Sequence, residues 1–283
     1  MPTMDLEAEY NNRARVPEHP EILAKLDRDA AAYRAACPQA ELGQSYGPSE
    51  RQVIDMFPAK LGDANAPLAL FIHGGYWRTN HWSSYSHVAA HLNARGINVA
   101  IVGYDLCPQV TIAAIIDQLR EACLFQWRKR KQRMMVYGHS AGGHLTACMV
   151  ATDWKKLAAD APADLVPAGY AISGVFDLTP LVHVSMNQEL RLDEAQARLV
   201  SPLFWKIPPG RLLDAVVGSA ESGQFRWQSR VVADGWRKGK AETRYEEIAG
   251  ANHFTVIAPL NDPNSAMVTR LVELAKQVSA QPL

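Results

Sequence analysis

Short apolar runs alternate with amphipathic stretches along most of this chain, and that alternation predicts its architecture. Leu68-Ala69-Leu70-Phe71-Ile72 is continuously apolar over the length of a strand. Such a run suits a parallel strand buried on both faces. Ile97 to Val102, the Met134-Met135-Val136-Tyr137 stretch, Ala168 to Ser173 and Leu213 to Val217 read the same way, with a further strand at Thr243 to Ile248. Arg51 to Phe57 reads as an edge strand, and Asp63 to Pro67 as a turn. Ile112, Ile115, Ile116, Leu119, Cys123 and Trp127 recur at helical spacing and define one face of a long helix. Further helices are predicted over Ser83 to Arg95, Ala141 to Val150, the stretch through Phe225, Trp227 and Val231, and Asn264 to Val278. Strand–helix–strand repetition implies crossovers and a mostly parallel sheet with helices on both faces. Ligands of such sheets bind beyond the carboxyl ends of the strands.

Two stretches fall outside the alternation. Pro17-Glu18-His19-Pro20 opens a helical pattern through Ile22, Leu23, Leu26, Ala30 and Tyr33 that ends near Pro38. Residues 1–50 are therefore expected to form an N-terminal helical arm packed on a main domain at 51–283. Residues 181–210, which contain Ser201-Pro202-Leu203-Phe204-Trp205, are longer than a usual crossover. They are expected to form a small cap over the site, the alternative being a crossover helix with a long loop.

At 283 residues, 48% hydrophobic and 20% charged, the composition is that of a globular enzyme, with room for one large α/β domain or two small ones. Lys and Arg together number 29, as do Asp and Glu. That balance gives no overall field to attract nucleic acid or an anionic membrane. The acidic opening lacks the apolar core of a secretory signal, and no stretch approaches the roughly 20 apolar residues that cross a bilayer. Cys37, Cys107, Cys123 and Cys148 are scattered without Cys-x-x-Cys spacing, which argues against a zinc site or a disulfide framework and fits a reducing cytoplasm.

Chemistry concentrates around Gly138-His139-Ser140-Ala141-Gly142, between an apolar strand and a helix of small residues. In that context Gly-x-Ser-x-Gly is a nucleophile elbow: the serine sits in a tight strand-to-helix turn with its Oγ exposed. Glycines at Gly138 and Gly142 let strand and helix approach closely. Ala141 then opens the helix, where unpaired N–H groups favour negative charge. A serine hydroxyl needs a base, and the base an orienting carboxylate. His253, in Gly250-Ala251-Asn252-His253-Phe254, follows the last strand and precedes the last helix. His139 and His144 flank the serine as packing or hydrogen-bonding residues. Two acids compete for the third place. Glu221 follows the Leu213–Val217 strand, and Asp177 follows the strand before it; their alternative roles are a helix-start charge and a turn or helix cap. The His73-Gly74-Gly75 loop supplies further oxyanion donors through Gly74 and Gly75 beside Ala141, with His73 shaping the loop. Tyr76, Trp77, Trp205 and Phe225 lie near loops expected to line the mouth, as do Trp82 and Trp227, and suit an aryl or flat acyl group.

These motifs together resemble the α/β-hydrolase superfamily, and within it the kynurenine formamidase (arylformamidase) family and its esterase relatives. The resemblance rests on His73-Gly74-Gly75-Tyr76-Trp77, Gly138-His139-Ser140-Ala141-Gly142-Gly143-His144 and Ser173-Gly174-Val175-Phe176-Asp177-Leu178. Ser201-Pro202-Leu203, Phe225 with Gln228-Ser229, Asn252-His253-Phe254 and the opening Tyr10-Asn11-Asn12-Arg13 extend it over nearly the whole chain. It implies a cofactor-free serine hydrolase with Ser140 as nucleophile, His253 as base, the acid at Glu221 and a structural Asp177. The family usually carries Asp where this chain has Glu221, one methylene longer. The implied reference reaction is N-formylkynurenine to kynurenine and formate. A general short-acyl carboxylesterase and a non-catalytic ligand-binding protein on a hydrolase scaffold are the alternatives. The expected partner is a small amide or ester, with no nucleic acid and no membrane; a homodimer is compatible with the sequence.

Overall fold

The computed structural model describes residues 4–59 and 65–280. Asp63 and Ala64 of the expected turn lie outside the described residues. The chain opens with three helices, α1 (Leu6–Tyr10), α2 (Asn12–Arg15) and α3 (His19–Ala35). Strands β1 (Glu41–Ser45), β2 (Val53–Phe57) and β3 (Leu68–Ile72) follow. A 3-10 segment at Trp82–Ala89 runs into α4 (Ala90–Ala94), then β4 (Asn98–Val102), α5 (Ile112–Arg130), β5 (Met134–His139), α6 (Ala141–Ala151), α7 (Trp154–Leu157) and β6 (Ala168–Ile172). Short helices α8 (Asn187–Leu190) and α9 (Glu194–Leu199) precede β7 (Leu212–Gly218), α10 (Gly223–Lys238), β8 (Glu242–Ile248) and α11 (Ala266–Ser279).

The strands form one eight-stranded sheet in the order β1-β2-β4-β3-β5-β6-β7-β8. β1–β2 and β2–β4 pair antiparallel and every later pair is parallel. Every residue of β3, β4, β5, β6 and β7 is buried, as their largely apolar runs require, and the one acid among them, Asp214 of β7, is paired with Arg270 at 2.7 Å. One apolar layer lies under α5, α6 and α10, and the other under α3, α4 and α11. Register aligns the strand ends: Ile72 pairs with Gly138, His139 with Ile172, and Gly218 with Ile248. The loops that follow β3, β5, β6, β7 and β8 therefore emerge side by side.

Arg51–Phe57 is not an edge strand. β1 pairs outside it and takes the edge. β1 is largely exposed and broken by an irregularity between Glu41 and Gln44, so it has no apolar alternation by which it could be read. The stretch from Ser83 begins as 3-10 helix and becomes α-helix only at Ala90.

The N-terminal helices diverge in what they touch. α3 packs on the 3-10 segment, with Tyr33 Oη donating to Asn93 Oδ1 at 2.5 Å and Arg34 paired with the buried Asp55 at 2.5 Å. α1 crosses to α10, where Tyr10 lies fully buried. Residues 181–210 fold into short helical pieces, of which Ser185 and Met186 reach the cavity described below. Among the described residues no helix is long and apolar enough to cross a membrane.

Candidate active site

β5 ends at His139 and α6 begins at Ala141, leaving Ser140 to make the whole turn at φ 57° and ψ −119°. The Ser140 N–H donates to the Ile172 carbonyl at 2.8 Å, and its own carbonyl accepts from Gly143 and His144 N–H. The turn closes only over glycine. A Cβ on Gly142 would lie 1.9 Å from the Ile72 oxygen, and one on Gly138 would lie 2.4 Å from the Gly142 oxygen. Ala141, first in α6, has no intrahelical acceptor for its N–H.

His253 Nε2 lies 3.0 Å from Ser140 Oγ, and His253 Nδ1 lies 2.7 Å from Glu221 Oε2. The loop that carries His253 is held locally. Asn252 Oδ1 accepts from Phe254 and Thr255 N–H, and His139 Nε2 donates to the His253 carbonyl at 2.8 Å. Burial lowers the His139 pKa to about 3, so its ring stays neutral. The Phe225 ring packs 4.5 Å from the His253 ring.

Glu221 sits in the turn after β7 with its side chain wholly buried. A buried carboxylate must be matched by donors, and it is. Besides facing His253, Glu221 accepts from Ser173 Oγ at 2.5 Å and from Gly218 N–H at 2.7 Å. Ser173 holds a left-handed backbone, φ 52°, at the end of β6, a conformation that costs a non-glycine residue about 1–3 kcal/mol and clusters at functional sites. Nothing in the apolar-run pattern singles out Ser173; its only signal is its place in Ser173-Gly174-Val175-Phe176-Asp177. Asp177 points elsewhere, accepting from Thr179 N–H at 2.9 Å and Thr179 Oγ1 at 2.7 Å. Asp177→Ala is expected to cost about 1 kcal/mol of stability, the usual net worth of such local hydrogen bonds, with kcat retained; denaturant unfolding and a steady-state assay check both.

The loop after β3 approaches the serine closely. A Cβ on Gly74 would lie 2.7 Å from the His139 oxygen and 2.9 Å from Ser140 Cβ. Gly75 has φ 115°, and its carbonyl accepts from Arg78 and Thr79 N–H. His73 Nδ1 donates to the Gly74 carbonyl at 2.7 Å, and its ring stacks on Tyr104 at 4.3 Å. A peptide unit is planar with C=O and N–H opposed, so turning the Gly74 carbonyl toward His73 turns the Gly75 N–H the other way. Burial lowers the His73 pKa to about 3, which suits a fixed neutral donor. Among the described residues no group of three or more His, Cys, Asp and Glu side chains could hold a metal ion.

Ser140 and His253 open onto a cavity of about 100 Å³. Of the six expected aromatic lining residues only Tyr76 is on its wall, with its hydroxyl donating to the Tyr10 carbonyl at 2.7 Å, and Trp82 and Trp227 are not. Trp77 is buried in the core, edge-on to His144. Trp205 donates to the Leu199 carbonyl and lies under Arg120, away from the cavity. Phe225 supports the His253 ring from behind. The wall comes instead from Tyr85, Phe254 and the N-terminal residues Glu7, Tyr10, Asn12 and Arg13. Those last residues show no periodicity; the Tyr10-Asn11-Asn12-Arg13 motif covers Tyr10, Asn12 and Arg13, and no sequence signal points to Glu7.

The BD-FAE family model matches residues 54–200, just over half of the chain. This chain belongs to the BD-FAE family. Kynurenine formamidase from Danio rerio is 25% identical to this BD-FAE member over 236 residues, covering 81% of this chain and 80% of the relative. Kynurenine formamidase from Drosophila melanogaster is 29% identical over 238 residues, 79% of each. The crystal structure of a candidate thioesterase from Silicibacter sp. TM1040 superposes with a TM-score of 0.83 at 30% identity, covering 94% of this chain and 98% of that one. Esterase B from Lactobacillus rhamnosis, at 17% identity and a TM-score of 0.66 over 93% and 96%, shares the fold. The BD-FAE chain has the α/β-hydrolase fold and is a hydrolase of the formamidase and esterase type.

Proposed function

We propose that the chain cleaves a small amide or ester with an aromatic portion through an acyl-enzyme, with N-formylkynurenine as the reference substrate. Ser140 Oγ attacks the carbonyl carbon while His253 Nε2 takes the hydroxyl proton, and Glu221 stabilises the imidazolium that forms. The oxyanion is received by N–H groups of Gly74, Gly75 and Ala141. The carbon–nitrogen or carbon–oxygen bond breaks as His253 returns the proton to the leaving amine or alcohol. Water then attacks the acyl-Ser140 ester with His253 again as base, releasing the acid and restoring the serine.

One observation carries this reading: the 2.7 Å and 3.0 Å contacts that join Glu221, His253 and Ser140 in a line at the wall of a cavity. The same contacts count against a non-catalytic binding protein. Tyr85, Tyr76 and Phe254 around the cavity support an aromatic group, and the names of the 25–29% identical relatives support a formamide. A cavity of about 100 Å³ favours a second reading, a short-acyl carboxylesterase, since sites that enclose drug-sized ligands run to roughly 300–1,000 Å³. Four buried cysteines, none of them in a disulfide, support a reducing compartment such as the cytoplasm.

The test is a substrate panel with active-site labelling. Fluorophosphonate is expected to modify Ser140, and kcat/KM for an aryl formamide to exceed that for p-nitrophenyl acetate, with octanoyl esters turned over least. Acetate preferred over the formamide would favour the esterase reading. An unlabelled Ser140 would remove both.

A further inference from the structure

We infer that the mouth of the cavity is an anion-binding subsite, built from Arg13 and Arg78 with Asn12, that takes a carboxylate on the leaving-group half of the substrate. It rests on the reading that Ser140 is acylated, and it adds a selectivity which that reading does not contain.

Arg13 and Arg78 line the same cavity as Ser140 and His253. Arg13 is exposed, and its guanidinium has no hydrogen-bond or ion-pair partner among the described residues. Arg78 is paired with Glu189 through one terminal nitrogen; a guanidinium has five N–H donors in a planar fork, so others remain for a carboxylate. Asn12 is the third member. It is only 5% exposed, it lines the cavity, and its Nδ2 has no partner. Buried side-chain amides are nearly always satisfied, and a half-turn about χ2 exchanges the two ends of this one. An acceptor brought in by the substrate would satisfy it.

The remaining charge at the mouth is already engaged. Glu7 accepts from Ser185 N–H and Oγ at 2.8 Å each and from Asn11 Nδ2 at 3.2 Å, and these donors hold its pKa below the usual carboxylate value. The geometry also fixes which half of the substrate reaches the arginines. The reacting carbonyl must sit at Ser140, which is buried, whereas Arg13 is exposed, so a formyl or acetyl group is the half that stays inside. What reaches Arg13 is the leaving group.

The test compares N-formylkynurenine with its carboxamide, which is neutral and nearly the same size. The wild-type protein is expected to prefer the carboxylate by about tenfold or more in kcat/KM at low salt, with the preference shrinking as ionic strength rises. Arg13→Ala is expected to lower that ratio toward one, chiefly through KM, and Arg13→Lys to recover part of it. Because Arg13 is exposed, its removal leaves the core intact. A wild-type ratio near one, or a ratio that Arg13→Ala does not change, overturns the subsite while leaving the acyl-enzyme reading in place. A Ser140 that fluorophosphonate does not label overturns both.

Discussion

Ser140→Ala is expected to lower kcat for p-nitrophenyl acetate by roughly 10⁶-fold, and Ser140→Gly to do the same while raising the melting temperature. The first effect follows from the proposed mechanism, in which Ser140 Oγ is the attacking atom. What survives is the rate owed to binding and to the oxyanion donors, which in serine hydrolases amounts to about 10³–10⁴ over water. The second follows from the backbone. At φ 57° and ψ −119° the serine occupies a region that repels any Cβ, at a cost of about 1–3 kcal/mol. Glycine adopts the same angles freely, although its unfolded chain gains entropy worth roughly 0.5–1 kcal/mol. The difference leaves about 1 kcal/mol in favour of the variant, or about 2 °C for a chain of 283 residues. Calorimetry of Ser140→Ala beside Ser140→Gly isolates the backbone, because neither has a hydroxyl. A glycine variant that melts no higher than the alanine variant would mean that the turn carries no strain.

Glu221→Gln is expected to reduce kcat by about 10⁴-fold, the scale of the corresponding change in other triads. The amide can turn its NH₂ toward His253 Nδ1, which stabilises the ring tautomer that cannot accept the serine proton. It also leaves no negative charge beside the imidazolium. Glu221→Asp separates charge from reach. The present carboxylate meets His253, Ser173 and the Gly218 N–H at 2.5–2.7 Å from a fully buried position. One methylene fewer cannot satisfy all three, and a displacement near 1 Å is enough to cost about 100-fold. Stopped-flow acylation rates for the two variants would separate the effects: loss of the carboxylate lowers the rate far more than its retraction. Equal losses in both would assign the whole contribution of Glu221 to position.

The parts of the fold that were legible in the sequence are those with a single environment. β3, β4 and β5 are apolar at nearly every position because helices cover both faces of the sheet. The loops after them could be placed for the same reason, which is how Ser140, Glu221 and His253 came to be sought together from distant stretches. β1 was not legible, because an exposed, irregular edge strand imposes no pattern. Cavity lining was misjudged for a different reason. Proximity to a loop does not determine direction, and Trp77 and Phe225 both turn inward to pack against His144 and His253. The N-terminal wall was missed because its contacts are made one residue at a time, by Tyr10, Asn12 and Arg13, with no repeating face to announce them.

That wall has a consequence for the order of events during synthesis. Tyr10 Oη meets Gln224 and Gln228, which lie 214 and 218 positions later in the chain. At the usual 5–20 residues per second, roughly 10–40 s separate the emergence of the two partners from the ribosome. Over that interval a tyrosine destined for full burial has nowhere to dock. A nascent chain halted before α10 would carry Ser140 long before the cavity around it had its N-terminal wall.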